Sequence, residues 1–191
     1  MIVVIDNFIQ DQDLLREISN DNTFFSNPGA YYWWDGWWNE EAKSLKHKLI
    51  EHIWADNCPL SKPISIRGFE YWTGIQTADP NLGFNNNLGG HFDKDEELYQ
   101  LNGEIVTPSM GTVYYPEQPD FEGGMLEIYS QGVDKEPELI YAKPNRLIIF
   151  EAGKYVHSVR PVTKGIRKAI AINLWLTEPL GKQNSNMSIE G

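Results

Sequence analysis

Two side chains able to hold a metal stand two residues apart in His91-Phe92-Asp93. On an extended strand, residues i and i+2 leave the same face, so both can reach one ion. One imidazole and one carboxylate leave a metal under-coordinated, and the chain offers three further histidines. His47 and His52 fall among charged residues of a helical stretch and read as solvated surface groups. His157 lies in the β-rich half, after the apolar run 147–150 and a turn at Gly153, and supplies the third ligand. Two histidines and a carboxylate on one side of an ion leave three positions open, a facial set suited to iron(II) and able to admit a cosubstrate together with dioxygen.

Ten residues beyond His157, past a turn at 161–165, Arg167 begins another strand. A guanidinium there can grip a carboxylate through two parallel hydrogen bonds. Along that strand Arg167, Ala169, Ala171 and Asn173 share one face, whose small side chains leave room for a ligand.

The elements that must position these groups follow from periodicity. The run 2–5 is β-branched and apolar, which predicts a buried strand, and Asp11 is placed to cap a helix carrying Leu14, Leu15 and Ile18. Asn39 is the expected cap of a second helix, with Ala42, Leu45, Leu49 and Ile53 as its core stripe and Glu40, Lys43, Lys46 and Glu51 on other faces. From residue 65 onward short β-rich runs at 66–72, 111–115, 125–129, 138–142, 146–150, 156–159 and 168–176 alternate with Gly, Pro and Asn clusters, and no helix-length segment separates them. This texture predicts a mainly β fold, an antiparallel barrel or jelly roll with α-helices flanking it. Residues 77–90 and 116–124 are expected surface loops, and residues 184–191 a frayed tail. The organisation expected is one domain over 1–191: a strand and packing helices over 1–64, the β core over 65–178 and a tail from 179.

Composition narrows the function classes. With 41% hydrophobic residues and 7 Trp, 9 Tyr and 8 Phe, the chain has the apolar surface to fold. A formal net charge of -11 disfavours nucleic acid, whose phosphates require Lys or Arg. A single cysteine, Cys58, forbids an intrachain disulfide and a thiolate metal centre, which fits a reducing cytoplasm. No apolar run approaches membrane-spanning length. The aromatic cluster at 31–38 is expected to contribute to both the core and a pocket rim.

The ordered set His91-x-Asp93, Gly111-Thr112-Val113-Tyr114-Tyr115, Glu122-Gly123-Gly124-Met125-Leu126, Arg146-Leu147-Ile148-Ile149-Phe150, His157-x-Val159-x-Pro161-Val162 and Gly165-x-Arg167 resembles the prolyl 4-hydroxylase-like 2-oxoglutarate/iron(II) oxygenases over roughly residues 66–176. The resemblance implies a double-stranded β-helix core of the jelly-roll, cupin-like type. It implies Fe(2+) on the catalytic residues His91, Asp93 and His157, with 2-oxoglutarate and O2 as cosubstrates. It implies Arg167 as the holder of the distal carboxylate, assisted by a tyrosine matching Tyr115 or, one residue earlier, Tyr114. Asn173, on the same face as Arg167, is the further cofactor-binding candidate. The implied reaction couples oxidative decarboxylation of 2-oxoglutarate to hydroxylation of a C–H bond, with peptidyl proline the leading substrate and a small molecule the alternative. Two competing readings are a non-catalytic metal-binding barrel and a jelly-roll module that stacks sugars on the aromatic cluster. Oligomeric state is not legible.

Overall fold

The strand Ile166–Trp175 divides the molecule into its two interiors. Ile170, Ile172 and Leu174 are fully buried on one side, while Arg167, Ala169 and Asn173 are buried on the other. A strand buried on both faces, apolar on one and polar or small on the other, sits between a packed core and a lined cavity. The computed structural model describes residues 1–56, 65–116 and 120–183.

In chain order the elements begin with β1 (Ile2–Ile5), α1 (Gln12–Asn20), β2 (Tyr32–Trp34), α2 (Leu45–Glu51) and β3 (Gly68–Thr77). There follow β4 (Leu88–His91), α3 (Glu96–Asn102), β5 (Met110–Tyr115), β6 (Glu122–Gly123), β7 (Leu126–Ile128) and β8 (Glu138–Ile140). The last are β9 (Arg146–Phe150), β10 (His157–Val159), β11 (Val162–Lys164) and β12 (Ile166–Trp175). A six-stranded sheet in the order β1-β9-β5-β12-β3-β2 faces a four-stranded sheet ordered β4-β10-β7-β8, and β11 pairs with β6. All pairings are antiparallel. This is the expected double-stranded β-helix with helices outside it.

One apolar cluster lies between the outer face of the larger sheet and the helices, joining Ile18, Leu49, Ile50 and Trp54 to Phe69, Tyr71, Ile170 and Leu174. A second fills the space between the sheets, with Tyr115, Ile148 and Phe150 against Leu126, Ile128 and Val159. Each large side chain so buried stabilises the fold by roughly 1.5–3 kcal/mol.

Several expectations are revised. β1 is an edge strand, with Val4 43% exposed rather than buried. Asp11 caps α1 as expected, accepting from the amides of Asp13 and Leu14. Asn39 does not cap α2: its amide and that of Glu40 donate to Gly36 O in a tight turn, and Ser44 takes the cap five residues later. Beyond α2 the chain widens into a π-helical turn at His52–Asp56. Lys46 is buried against the rings of Phe24 and Tyr32, at 6.0 and 5.4 Å, where the cation meets π faces. His47 and His52 are packed rather than solvated. The His47 ring stacks on Trp34 at 4.5 Å and its Nε2 meets Tyr71 Oη at 2.9 Å, while His52 packs edge-on to Phe8. Helix α3 interrupts the β-rich half, started by the Asp95 cap and ended by Gly103 in the left-handed region. The expected loop at 77–90 carries β4, and that at 116–124 carries β6, with 117–119 outside the described residues. Cys58 and the tail at 184–191 also lie outside them.

Asn145 fastens the amino-terminal segment to the barrel. Its Oδ1 accepts from Ile9 N at 2.9 Å and Tyr114 Oη at 3.0 Å, and its Nδ2 donates to Ile9 O at 3.0 Å. The residue is buried at a positive φ of 54°, which asparagine tolerates better than alanine. Asn145→Ala is therefore expected to lower stability by about 2 kcal/mol, chiefly through the stranded Ile9 and Tyr114 groups. Urea unfolding measures it; a change no larger than that of Tyr114→Phe would show that the Ile9 bonds contribute nothing.

Candidate metal and cosubstrate site

Strand pairing brings His91 and His157 together. They stand opposite one another in the β4–β10 pair, so both imidazoles leave the same face of adjacent strands, with ring centroids 4.4 Å apart. Asp93, two residues past His91, is fixed by a backbone bond from its amide to Ala152 O. Its Oδ1 lies 3.4 Å from His91 Nε2 and 3.6 Å from His157 Nε2. The three ligand atoms fall within 4.8 Å of one another, the one group of this kind among the described residues.

The imidazoles are oriented for metal binding. His91 Nδ1 meets Gly89 O at 2.8 Å and His157 Nδ1 meets Tyr155 O at 3.0 Å. A carbonyl only accepts, so each Nδ1 carries a proton and each Nε2 faces Asp93, where it holds a second proton or, once that is lost, offers a lone pair to an ion. Asn173 Nδ2 donates to Asp93 Oδ2 at 3.0 Å, leaving Oδ1 for an ion. The Asp93 hydrogen bond raises the pKa of His91, while burial lowers that of His157. For Asp93, burial pushes the pKa up, but the hydrogen bond from His91 and the nearby His157 outweigh it and the net direction is down. Once His91 gives up the Nε2 proton that Asp93 favours, two neutral imidazoles and one carboxylate fit a divalent cation.

Arg167 lies on the same inward face of β12 as Asn173 and is 2% exposed. Its Nη2 donates to Tyr115 Oη at 2.8 Å and its Nη1 to Gln76 Oε1 at 2.6 Å. The guanidinium also lies over the Tyr115 ring at 5.0 Å. Its Nε is buried without a hydrogen-bond partner, and no carboxylate of the described residues forms an ion pair with it. A buried cation with an unused N–H is strongly destabilising unless an anion joins it, so these residues fit a carboxylate guest. Gly124 makes the approach possible: its φ is +64°, and a Cβ there would sit 2.8 Å from Arg167 Cδ.

The structure places Tyr115, not Tyr114, beside Arg167. Tyr114 points the other way, into the helix-side cluster, where its hydroxyl meets Asn145. Asn173 touches Asp93 and Glu70 rather than the Arg167 group. In the aromatic segment, Tyr32 and Trp34 are core residues, Trp37 packs against that core, and Trp38 lies on Phe69. Of this segment only Tyr31 reaches the cavity beside the triad, so Trp37 and Trp38 do not form its rim.

Sequence reasoning missed the residues of β3. Gln76, Gly74, Trp72 and Glu70 pair with Arg167, Ala169, Ala171 and Asn173 and so share their inward face. Period-two alternation of Phe69, Tyr71 and Thr73 with polar neighbours carries that signal. A cavity of about 430 Å³ opens over His91 and Asp93, lined also by Glu70, Trp72 and Tyr31. Burial pushes the Glu70 carboxyl up to about 7, reinforced by the charge of Asp93 and opposed by Asn173.

That shift predicts a pH dependence in protein stripped of metal. The unfolded chain ionises Glu70 near the ordinary value of 4.5, while the folded chain keeps the proton until about 7. Over that window the native state binds more protons, so stability falls as pH rises, by up to about 3 kcal/mol in total. Urea unfolding from pH 4.5 to 8 should show the fall in the wild type and a smaller one in Glu70→Gln; parallel curves would assign it elsewhere.

Comparisons with known proteins agree with this geometry. Residues 81–177 match the family model of the 2OG-Fe(II) oxygenase superfamily. No curated protein matches the chain. Among solved structures, the chain is similar to a prolyl-4-hydroxylase of Pseudomonas putida, at 15% identity over 93% of both chains with a TM-score of 0.59. It is also similar to the viral collagen prolyl hydroxylase of Paramecium Bursaria Chlorella virus-1, solved with 2OG, at 13% identity over 93% of this chain and 96% of that one, TM-score 0.53. A Trichoplax adhaerens prolyl hydroxylase, in complex with a hypoxia inducible factor oxygen degradation domain peptide fragment, gives 14% identity, 92% and 83% coverage and a TM-score of 0.50. At these identities the likeness establishes a shared fold. The family match spans half of the chain and contains His91, Asp93, His157 and Arg167, and the protein belongs to the 2OG-Fe(II) oxygenase superfamily.

Proposed function

We propose that His91, Asp93 and His157 hold iron(II), that Arg167, Tyr115 and Gln76 bind the distal carboxylate of 2-oxoglutarate, and that the enzyme hydroxylates a peptidyl side chain, proline foremost. The observation that carries the reading is the buried Arg167 guanidinium, paired with no carboxylate of the described residues and on the same strand face as Asn173, which holds Asp93. When bound, iron and 2-oxoglutarate together supply the oxidation of an unactivated C–H bond by dioxygen. The chain's own residues supply positions. Gly89 O and Tyr155 O hold the imidazole tautomers, Asn173 holds Asp93 in one rotamer, and the tyrosine and glutamine fix the guanidinium fork. The apolar cluster between the sheets keeps water from the Arg167 end, where an ion pair is stronger for being dry.

A peptidyl substrate is supported by the shared fold with prolyl hydroxylases, one of them in complex with a peptide fragment. The packing of Trp34, Trp37 and Trp38 against the core speaks against a sugar-stacking module. The test is succinate release with iron(II), 2-oxoglutarate and a proline-containing peptide library, with product mass read in parallel. A peptide heavier by one oxygen is the expected product. Stimulation by a metabolite panel alone, with an oxygenated metabolite, would move the substrate to small molecules.

A further inference from the structure

The cavity over His91 and Asp93 is lined by aromatic rings and carboxyl groups. Tyr31 and Trp72 form one wall, their rings 4.8 Å apart and tilted by 39°. Glu70 stands beside Trp72 on the inward face of β3, and the Asn173 amide reaches Glu70 Oε2 at 3.5 Å and Asp93 Oδ2 at 3.0 Å. One side-chain amide therefore separates Glu70 from a triad carboxylate.

The other charged groups around the cavity are largely committed. Asp95 caps α3 and accepts from the amides of Leu180 and Gly181. Glu96 holds Lys94 at 2.6 Å, and the Lys94 ammonium lies over the rings of Phe92 and Tyr99. Among the described residues Lys94 is the single lysine or arginine lining the cavity, against the carboxyl groups of Glu70, Asp93, Asp95, Glu96 and Glu97. A carboxyl on a cavity wall beside an aromatic face is poorly solvated, and a cation that also rests on that face compensates it.

We infer that the peptidyl substrate carries an ammonium or guanidinium group on a residue neighbouring the one to be oxidised, which seats on Glu70 against Tyr31 and Trp72 and so fixes the C–H bond over His91 and Asp93. This rests on the proposed iron site and deepens it by naming the substrate's charge. A lysine or arginine side chain is the chemistry that fits: an apolar stem along Trp72 and a charged head at the carboxyl. The guest ionises Glu70, since the pair forms only with the carboxylate. Neutral side chains of equal length would leave it protonated and gain only the apolar contact.

The test is equilibrium binding by ligand-observed NMR to protein loaded with iron(II) and 2-oxoglutarate under anaerobic conditions at fixed ionic strength. The probes are Nα-acetyl-lysinamide and Nα-acetyl-argininamide, with the norleucine and citrulline amides as neutral isosteres. The cationic probes are expected to bind at least tenfold tighter than their isosteres. Glu70→Gln should erase that preference, and Tyr31→Leu, at a half-exposed position that folding tolerates, should weaken the cationic probes severalfold while sparing the neutral ones. Absence of binding by the cationic probes, equal binding of both sets, or a preference that survives Glu70→Gln overturns the inference. The visible charge-transfer absorption of the same wild-type sample separates the two readings: a band with no preference sinks the cation pocket alone, whereas a missing band sinks the iron site.

Discussion

Alanine at His91, Asp93 or His157 is expected to weaken iron(II) binding by more than about 100-fold, since losing even an outer-shell partner of a metal ligand costs about 10–100-fold. Each substitution would leave an ion only two protein donors where the structure gathers three. The three variants should differ in their side effects. His157 is buried against Phe150, at 5.0 Å between rings, so its loss opens a cavity and lowers stability as well. His91 is more exposed, and its variant should fold as the wild type does. Asp93→Asn is the sharpest member of the series, because it keeps the shape while removing the charge. Equilibrium dialysis with iron(II) under anaerobic conditions reports the affinities. Retained stoichiometric iron in all three alanine variants would overturn the ligand assignment.

The second large effect concerns Arg167. Arg167→Ala should leave iron affinity unchanged and weaken 2-oxoglutarate by about 100-fold or more. Two charge-assisted hydrogen bonds contribute roughly 1.5–3 kcal/mol each, and about 1.4 kcal/mol corresponds to a tenfold change. Arg167→Lys keeps the charge but loses the planar fork, and Tyr115 and Gln76 are spaced for two different guanidinium nitrogens, so the lysine should recover only part of the affinity. Stability should move the other way: the alanine variant removes a buried cation that no carboxylate of the described residues compensates, and in the absence of 2-oxoglutarate it should not unfold earlier than the wild type. Titrating the charge-transfer absorption with 2-oxoglutarate measures the affinity; an unchanged titration would remove Arg167 from the cosubstrate site.

What the sequence discloses and what it hides divide along a physical line. The triad is legible because strand alternation and residue chemistry suffice: His91 and Asp93 are two apart, and His157 is the histidine left in the β-rich half. Arg167 and the face it shares with Ala169, Ala171 and Asn173 are legible for the same reason, and the pairing β12 with β3 confirms that face. The strands at 2–5 and 146–150 are found to the residue, since β-branched runs bounded by polar residues have few alternatives. Where competition among local interactions decides, reading fails. Asn39 is a good cap in isolation, but the amides of Asn39 and Glu40 turn back to Gly36 O, and the helix starts only after Ser44. Lys46 and His47 look solvated by type, yet aromatic faces at Phe24, Tyr32 and Trp34 bury them. The register between Tyr114 and Tyr115 needs the sheet itself, because a one-residue slip exchanges the two interiors. The Glu70 pocket needs β3 set beside β12, a contact across about a hundred residues that no local pattern encodes.

The most direct measurement is a crystal grown anaerobically with iron(II) and 2-oxoglutarate, its metal located by anomalous scattering at the iron edge. The account predicts one iron between Nε2 of His91, Nε2 of His157 and Oδ1 of Asp93, with the distal carboxylate of 2-oxoglutarate on Arg167 and Tyr115. Iron bound elsewhere, or 2-oxoglutarate whose distal carboxylate lies away from Arg167, would contradict it.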